Sequence, residues 1–303
     1  MELKKINPIV YIITINWNCL DETLECLSSL EKIDYKSIKV IVVDNGSKNN
    51  EAGIIENKFP HVIVIKLPKN TGFTGGCNAG MRYALKKNAE LILLLNNDTV
   101  VSKGFLEPLV KNLLDNHDVG IVSPKILLYK SNKIWAMGGK ISILTGVTIH
   151  IGKNEESEKY NHIIQPDFLS GCAVLIKREA IDKIGLLNDQ YFAYYEDVEW
   201  SYKARKAGYK IQVIPESIIW HKKSASAGIK GSNKISPLQA FFWARNGLIF
   251  GHRNLTGIQR IVYIFNQFTI KFIFCSTRFK GLNAFLQYIR GLYYGINNKK
   301  VSF

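Results

Sequence analysis

The chain has 303 residues, of which 47% are apolar, 21% charged and 11% aromatic, a composition that is typical of globular proteins and excludes a disulfide-stapled miniprotein, a collagen and a wholly disordered tail. The net charge of +15 is unevenly placed, because residues 217–303 contain 13 Lys and Arg and no Asp or Glu. We therefore predict a catalytic or binding domain over residues 1–235 and a basic, aromatic-rich helical extension over 236–303.

The cysteines and the apolar runs indicate where the protein works. Five widely spaced cysteines form no C-x-x-C pair, which argues against a zinc ribbon or a disulfide framework and favours a reducing compartment. The apolar run 9–15 is too short for a signal peptide, and no uncharged apolar stretch reaches the roughly 18 residues that a membrane span needs. We therefore expect a cytoplasmic protein.

In chain order, the first half alternates apolar runs with amphipathic segments. The predicted strands are 9–15, 39–43, 62–67 and 91–95. Leucine spacing predicts a helix over 21–30, and a glycine-rich segment over 70–80 precedes a predicted helix over 81–87. This order predicts an α/β fold with a mostly parallel twisted sheet flanked by helices, in which ligands bind beyond the carboxyl ends of the strands.

The second half has a more mixed pattern. Glycines and short β-like runs over 138–159 predict a loop or a hairpin insertion, and the aromatic segment 191–195 opens a helix that Gly208 should end. The remaining predicted elements are helices over 103–116 and 179–184, strands over 173–177, 211–214 and 218–221, and helices beyond residue 235.

Two polar segments of the first half follow predicted strands. Asp44 at the end of the second strand is placed either to accept hydrogen bonds from a nucleotide or to form a cap or an Asx-turn. The glycines of 72–80 let the backbone approach a phosphate or a sugar. They match neither the Walker pattern nor G-x-G-x-x-G, which argues against a kinase and a nicotinamide enzyme.

Carboxylates and a histidine follow later strands. Asn96, Asn97 and Asp98 close the most apolar strand, where a plain turn and a site for Mg²⁺ or Mn²⁺ both fit the pattern. Glu196 and Asp197 open a helix behind four aromatic residues; they either complement the helix dipole or supply a desolvated general base. The histidine of Trp220-His221 is either structural or a metal ligand.

Taken together, these motifs closely resemble those of the family 2 glycosyltransferases, and most of all the rhamnosyltransferase-like branch. The resemblance covers roughly residues 8–250 with seven motifs in order. They are ITINWN at 13–18, VVDNGS at 42–47, NTGFTGG at 70–76, LNNDT at 95–99, SGC at 170–172, YED at 195–197 and WH at 220–221.

The resemblance implies a GT-A fold, a nucleotide-diphosphate sugar donor, Mg²⁺ or Mn²⁺ as cofactor, and inversion at the anomeric carbon. It implies that Asp197 is the catalytic base and that Asp98 and His221 hold the metal. The other implied contacts are Asn16, Trp17, Asn18, Asp44, Gly72, Gly75, Gly76 and Asn97 for the donor, and Gly171, Cys172, Tyr195 and Glu196 for the acceptor or the sugar.

The chain departs from the family pattern at two positions. Asn96 stands at the first D-x-D position, so metal binding should depend more on the donor's diphosphate, and Cys77 stands where an asparagine is common. The resemblance further implies that a saccharide or a lipid-linked glycan accepts the sugar in cell-envelope polysaccharide synthesis, with rhamnose favoured by the branch.

The basic tail supports two interpretations. Arg253, Arg260, Lys271 and Arg278 fall within roughly 20° of one another on an ideal helix, with apolar residues between them. Such a helix either lies on an anionic membrane surface, at the inner face of the cytoplasmic membrane, or packs on the catalytic domain. The aromatic helices could also pair two chains into a homodimer.

Three other functions fit the sequence less well. A nucleic-acid-binding protein would explain the basic tail, but Asp44, Asp98 and Asp197 would repel a polyanion. A nucleotidyltransferase that makes the sugar donor should carry a basic glycine-rich loop after the first strand, where this chain has Asn16-Trp17-Asn18-Cys19. An inactive relative would have no need of the retained carboxylates and histidine.

Overall fold

The computed structural model describes residues 7–222, 234–297 and 299. The first elements are β1 (Val10–Asn16), α1 (Leu20–Leu30), β2 (Ile38–Asp44), α2 (Glu51–Lys58), β3 (Ile63–Lys66), α3 (Gly72–Lys86), β4 (Leu91–Leu95) and β5 (Thr99–Val101). The middle contains α4 (Leu106–Asp115), β6 (Val119–Leu128), β7 (Ile134–Ala136), β8 (Gly139–Ile141), β9 (Thr148–His150), β10 (Ala173–Lys177) and α5 (Arg178–Ile184). The last elements are α6 (Glu196–Lys206), β11 (Lys210–His221), α7 (Pro237–Asn254), α8 (Gly257–Phe268), α9 (Ile270–Ser276) and α10 (Gly281–Ile296).

Within the described residues, nine strands form the main sheet in the order β3-β2-β1-β4-β10-β6-β11-β5, with β7 paired to β6. The first four strands are parallel, and so are β6 and β11. β10 runs antiparallel to both of its neighbours, β4 and β6. The sheet is therefore mixed rather than mostly parallel, while the predicted α/β class and the layer of helices on each face are confirmed.

The sheet is buried on both faces, which explains the continuous apolar runs of its central strands. Val10 and Ile12 of β1 point into a core shared with α1 and α4, whereas Tyr11 and Ile13 point into a core shared with α3, α5 and α6. All five residues of β4 are buried. The predicted strands of the first half are thus confirmed, and β8 and β9 form the predicted hairpin.

The glycine-rich segment is itself helical, so the helix predicted over 81–87 begins nine residues earlier, at Gly72 of α3. Two glycines of α3, Gly76 and Gly80, face β1. A Cβ added at Gly80 would lie 2.5 Å from the Ile13 side chain, and one added at Gly76 would lie 3.0 Å from that of Ile15. These two glycines therefore allow the helix to pack closely against the sheet.

The two strands predicted at 211–214 and 218–221 are one strand, β11, with an irregular register between Ile214 and Ile218. Pro215 lies at this irregularity and lacks the N–H that a regular ladder requires. The strand resumes its pairing beyond it and ends at His221.

The C-terminal helices do not carry a single basic stripe, because the chain bends at Gly257 and Thr269. Arg253, Arg260 and Lys271 lie on α7, α8 and α9 respectively, Arg278 follows α9, and Lys271 is buried. The stripe prediction is wrong, whereas the prediction of helices beyond residue 235 is confirmed. No helix in the described part of the chain is long and apolar enough to cross a bilayer.

Candidate functional site

One edge of the sheet collects the polar residues that the sequence placed at strand ends. β1, β2 and β4 are parallel, so their carboxyl ends meet there, with Asn16 beside Asp44. β10 runs the other way and begins at this edge, and β11 ends there. Ligands of α/β sheets bind at such an edge.

The Asp44 end of this edge is a closed network of hydrogen bonds. The Asn16 amide is fully buried and donates to Asp44 Oδ1 (3.0 Å), Ser47 Oγ (3.1 Å) and Glu51 Oε2 (2.8 Å). Its own oxygen accepts from Thr23 Oγ1 at 2.7 Å. Asn16 therefore orients Asp44 from beneath, since every polar atom of its side chain is already used inside the protein.

The two residues after Asn16 are placed differently. Trp17 has 44% of its surface exposed, and Asn18 adopts a left-handed backbone with φ 52°. Asn18 is tied to the strand-end turn by a bond from its N–H to Ser47 Oγ and by the Lys48 N–H, which donates to Asn18 Oδ1 at 2.9 Å. The indole of Trp17 is thus available at the surface beside the buried Asp44.

The glycines predicted to touch the donor are all constrained by the protein itself. A Cβ at Gly72 would collide with the Phe192 carbonyl oxygen, and Gly72 has φ +78°. At Gly75 the Thr71 side chain occupies that space, and at Gly76 the Ile15 side chain does. Helix start and helix packing thus account for these three glycines, and their donor contacts stay a prediction.

Asp98 and His221 form the second part of the edge. His221 Nε2 lies 3.2 Å from Asp98 Oδ1, and both side chains are buried. Burial opposes the imidazolium, but the neighbouring Cys172 and the hydrogen bond and charge of Asp98 outweigh it and raise the pKa of His221 to about 10. A metal ion held by this pair would replace the shared proton.

These two side chains fit a sparse metal site. A carboxylate oxygen and an imidazole nitrogen 3.2 Å apart can both reach one divalent cation, and Mg²⁺ and Mn²⁺ accept such a donor set when water and phosphate oxygens complete it. No group of three or more His, Cys, Asp or Glu that could hold a metal occurs among the residues described. The remaining ligands would have to come from the donor's diphosphate and water.

The asparagines before Asp98 have structural partners. Asn97 Nδ2 donates to Thr23 Oγ1 at 2.9 Å, which links it to the Asn16 network. The Asn96 N–H donates to the Cys172 carbonyl at 2.8 Å, and its carbonyl accepts from Thr99 Oγ1. The donor contact assigned to Asn97 by resemblance stays a prediction.

Asp197 forms the third part, at the start of α6. It is half-buried, with Oδ2 accepting from the Gly171 N–H at 3.0 Å and Oδ1 from the Val198 N–H at 2.8 Å. Burial raises the pKa of Asp197, and these backbone hydrogen bonds only partly oppose the rise. A raised pKa makes a carboxylate a better proton acceptor.

The neighbours of Asp197 complete a tight corner. Glu196 is buried, and burial followed by the charge of Asp197 raises its pKa well above the usual range. A Cβ at Gly171 would lie 3.5 Å from Asp197 Cβ and 3.6 Å from Glu196 Oε1. Tyr195 is buried and donates its hydroxyl to the Gly146 carbonyl in the hairpin at 3.1 Å, so it supports the corner from behind.

The segment 170–172 connects the second and third parts. Gly171 donates to Asp197, while the next residue, Cys172, accepts from Asn96 at the end of β4. Cys172 also lies close enough to His221 and Asp98 for their charges to affect its pKa, which burial raises. The predicted base and the predicted metal ligands are therefore brought to one corner of the sheet edge.

Sequence reasoning assigned no role at the site to several residues that shape this edge. They are Thr23, Asn45, Glu51, Asn246 and Lys271. Asn45 accepts from the Thr71 N–H and donates to the Gly72 carbonyl, which fixes the start of α3. The available signal for Asn246 and Lys271 was a polar residue inside an otherwise apolar helical run.

Residues 11–185 match the family model described as glycosyl transferase family 2. The dTDP-rhamnosyl transferase RfbF of Shigella flexneri is 24% identical over 273 residues, which cover 85% of this chain and 86% of that protein. The structure is similar to Staphylococcus aureus TarS 1-349 in complex with UDP-GlcNAc (TM-score 0.62, 17% identity, 95% of this chain and 81% of that one). It is also similar to the mannosyltransferase PcManGT from Pyrobaculum calidifontis in complex with GDP-Man and Mn²⁺ (TM-score 0.58, 14% identity, 98% and 77%).

Proposed function

Because the chain belongs to glycosyl transferase family 2, we propose that it transfers a sugar from a nucleotide-diphosphate donor to a hydroxyl of a saccharide or lipid-linked glycan, with inversion at the anomeric carbon. The observation that carries this proposal is the 170–172 segment, which holds Asp197 on one side and touches the Asp98–His221 corner on the other. The group that accepts the nucleophile's proton would then lie next to the site of the leaving diphosphate.

Asp197 acts as the general base in this proposal. As the acceptor's hydroxyl oxygen bonds to the anomeric carbon, its proton moves to a carboxylate oxygen of Asp197. The bond from that carbon to the diphosphate oxygen breaks, and the diphosphate leaves with the electron pair. The N–H groups of Gly171 and Val198 hold the carboxylate in place, and its partial exposure leaves it accessible to an acceptor.

Asp98 and His221 would hold the cofactor, Mg²⁺ or Mn²⁺. A bound divalent ion stabilises the negative charge that develops on the departing diphosphate. Asn16 holds Asp44 at the end of β2, and the exposed Trp17 offers an aromatic face to the nucleotide.

The donor is proposed to carry rhamnose, on the strength of the 24% identity to RfbF over most of both chains. Cell-envelope polysaccharide synthesis is the setting that this donor favours. A thermal-shift panel with UDP, dTDP, GDP and CDP, each with and without Mn²⁺, tests the nucleotide, because a ligand that binds only the folded state raises its stability. A metal-dependent shift for dTDP supports the proposal, and no shift for any nucleotide contradicts it.

Asp197→Asn tests the chemistry. The amide keeps the shape and one of the two backbone hydrogen bonds of Asp197 but cannot accept the proton, so turnover should fall at least about 100-fold while the nucleotide thermal shift is kept. The control is Asp115→Asn at the exposed end of α4, which should change neither. Near-normal turnover of Asp197→Asn would show that the base is another group.

We also propose that the outer face of the C-terminal helices rests on an anionic membrane surface. α8, α9 and α10 expose large apolar side chains, which are Ile258, Ile261, Phe265, Ile273, Leu282, Leu286, Tyr293 and Ile296. Arg260, Arg278, Lys280 and Arg290 are exposed on or beside the same helices, and no acidic residue follows Glu216. An apolar face with basic neighbours and no carboxylate suits anionic lipid headgroups.

Vesicle binding tests this face. Vesicles that contain anionic phosphatidylglycerol should retain the protein, purely zwitterionic vesicles should retain less, and Leu282→Asp should weaken retention. Leu114→Asp, which alters an exposed leucine of α4, is the control. Equal binding of Leu282→Asp and the parent protein contradicts the proposal, and concentration-dependent dimers with no vesicle binding would assign the face to a second copy of the chain instead.

A further inference from the structure

The backbone just before the proposed base adopts an uncommon conformation. Tyr194 and Tyr195 have φ values of 67° and 76°, in the left-handed region that residues with a Cβ rarely adopt. Two consecutive residues of this kind persist only where their surroundings hold them. Glu196 and Asp197 follow at once, so this backbone sets the direction in which α6 begins.

Asn246 of α7 holds this backbone from a position 52 residues away. Its side chain is fully buried, and its Nδ2 donates to the Ala193 carbonyl at 2.8 Å and to the Tyr194 carbonyl at 2.7 Å. Both hydrogens of the amide are thereby used on the two peptide groups that enter and form the left-handed turn.

The neighbouring Arg245 fixes the orientation of that amide. Its Nη1 donates to Asn246 Oδ1 at 2.7 Å and to the Gln190 carbonyl at 2.9 Å. A flipped amide would place its oxygen against two carbonyls and its NH₂ against the guanidinium, so only one orientation satisfies all three partners. Arg245 is itself buried, which makes the arrangement rigid.

A second tie comes from α9. Lys271 Nζ donates to the Tyr195 hydroxyl, to Gln267 Oε1 at 2.9 Å and to the Trp243 carbonyl at 3.1 Å. The Tyr195 side chain is therefore fixed while Asn246 fixes the preceding carbonyls. The C-terminal helices hold the segment before Asp197 through backbone and side chain alike.

We infer that Asn246 is a positioning residue of the transfer reaction, which fixes the Ala193–Tyr194 carbonyls and thereby aims the Asp197 carboxylate at the acceptor. The inference rests on the proposed role of Asp197 as the base. Without Asn246 the left-handed turn loses the two hydrogen bonds to the Ala193 and Tyr194 carbonyls. The first turn of α6 then shifts, and the Gly171–Asp197 hydrogen bond weakens. Nucleotide binding, at the Asp44 end of the edge, is left intact.

Asn246→Ala tests this role, with Asn254→Ala as the matched control. Asn254 is also a buried asparagine of α7, but its amide donates to Glu199 Oε1 and the Phe250 carbonyl. Both variants should lose stability. Only Asn246→Ala should lower kcat by about 10–100-fold, the cost of a misplaced catalytic group, with the donor KM unchanged within about twofold. Turnover is measured as dTDP released from dTDP-rhamnose with Mn²⁺.

Amide hydrogen exchange supplies a readout that needs no donor. Exchange at residues 193–198 should accelerate in Asn246→Ala and stay as in the parent in Asn254→Ala. If Asn246→Ala does not fold, Asn246→Ser, which keeps one donor, takes its place and should lie between the two. Equal kcat losses in both variants, an unchanged kcat in Asn246→Ala, or unchanged exchange at 193–198 would overturn the inference.

Asp197→Asn, assayed in parallel, separates the two proposals. If Asp197→Asn loses turnover while Asn246→Ala keeps its kcat, the positioning role alone fails. If Asp197→Asn keeps its turnover, the base assignment fails and the positioning role fails with it.

Discussion

Asp44 and Asp197 lie at the same edge of the sheet, but their supports come from different parts of the chain. Asp44 is held by Asn16, whose other partners are Ser47 and Glu51, so this network is complete within the first two β-α units. The segment before Asp197 is held by Asn246, 52 residues beyond Tyr194, and by Lys271, 76 residues beyond Tyr195.

The difference teaches that the C-terminal helices belong to the site. The predicted boundary at residue 235 separates the bulk of the sheet from the helical extension, yet the hydrogen bonds to residues 190–195 cross it. A fragment that ended at residue 235 would contain every residue of the Asp44 network but none of the C-terminal partners of the segment before Asp197.

Lys271, which holds the Tyr195 side chain, should make the stability of the protein depend on pH. Burial lowers its pKa to about 8, whereas an unfolded lysine has a pKa of about 10.4. Between these values the unfolded chain binds more protons, so the lysine's contribution to stability rises with pH across the window. Lys271→Met should remove a rise of about 3 kcal/mol between about pH 8 and 10.5.

Urea unfolding at several pH values in that window measures the effect. Lys66→Met, at an exposed lysine of β3, is the control and should keep the parent's pH dependence. Parallel stability curves for Lys271→Met and the parent protein would mean that Lys271 stays charged when folded.

Asn16 tests the local support. Asn16→Ala removes the donor shared by Asp44 and Glu51 and leaves two neighbouring buried carboxylates without it. The free energy of unfolding should fall by about 1–3 kcal/mol, the cost of unsatisfied buried polar groups. Denaturant unfolding measures the loss, with the exposed Asn161→Ala as control. A loss no larger than that of the control would show that Asp44 is oriented by other groups.

The position of Asp44 was easier to predict from the sequence than the support of Asp197, for a physical reason. A strand buried on both faces must end where polar residues begin, so Asn16, Asp44 and Asp98 could be placed at one edge from the pattern alone. The partners of Asn246 could not be placed, because helical periodicity shows which face is apolar but not which loop that face meets.

The glycines of α3 show where the sequence pattern is ambiguous. The pattern of 72–80 predicts a close approach of the backbone to a phosphate or a sugar, but in α3 Gly76 and Gly80 make room for Ile15 and Ile13 of β1. Glycine is favoured both in a helix that packs closely on a sheet and in a loop that binds a ligand. Only the tertiary contacts show which of the two a glycine-rich segment forms. The prediction of a single basic stripe is also wrong, because the helix breaks at Gly257 and Thr269 divide the stripe's residues among different helices.

Two ion pairs allow a similar comparison with the smallest expected effect, since one joins the neighbouring elements α2 and β3 and the other joins α6 to the distant α7. Lys66 and Glu56 meet at 2.8 Å with both side chains about half exposed, so a double-mutant cycle with Lys66→Ala and Glu56→Ala should give a coupling energy of about 0.2–1 kcal/mol. At about 1 M salt, where the Debye length is about 3 Å, this coupling should nearly vanish. Arg253 and Glu199 meet at 3.2 Å, but the Glu199 side chain is only 2% exposed, so their coupling should survive salt better. Equal salt sensitivity in the two cycles would mean that water and ions reach Glu199 as easily as Glu56, and that burial does not shield the contact between α6 and α7.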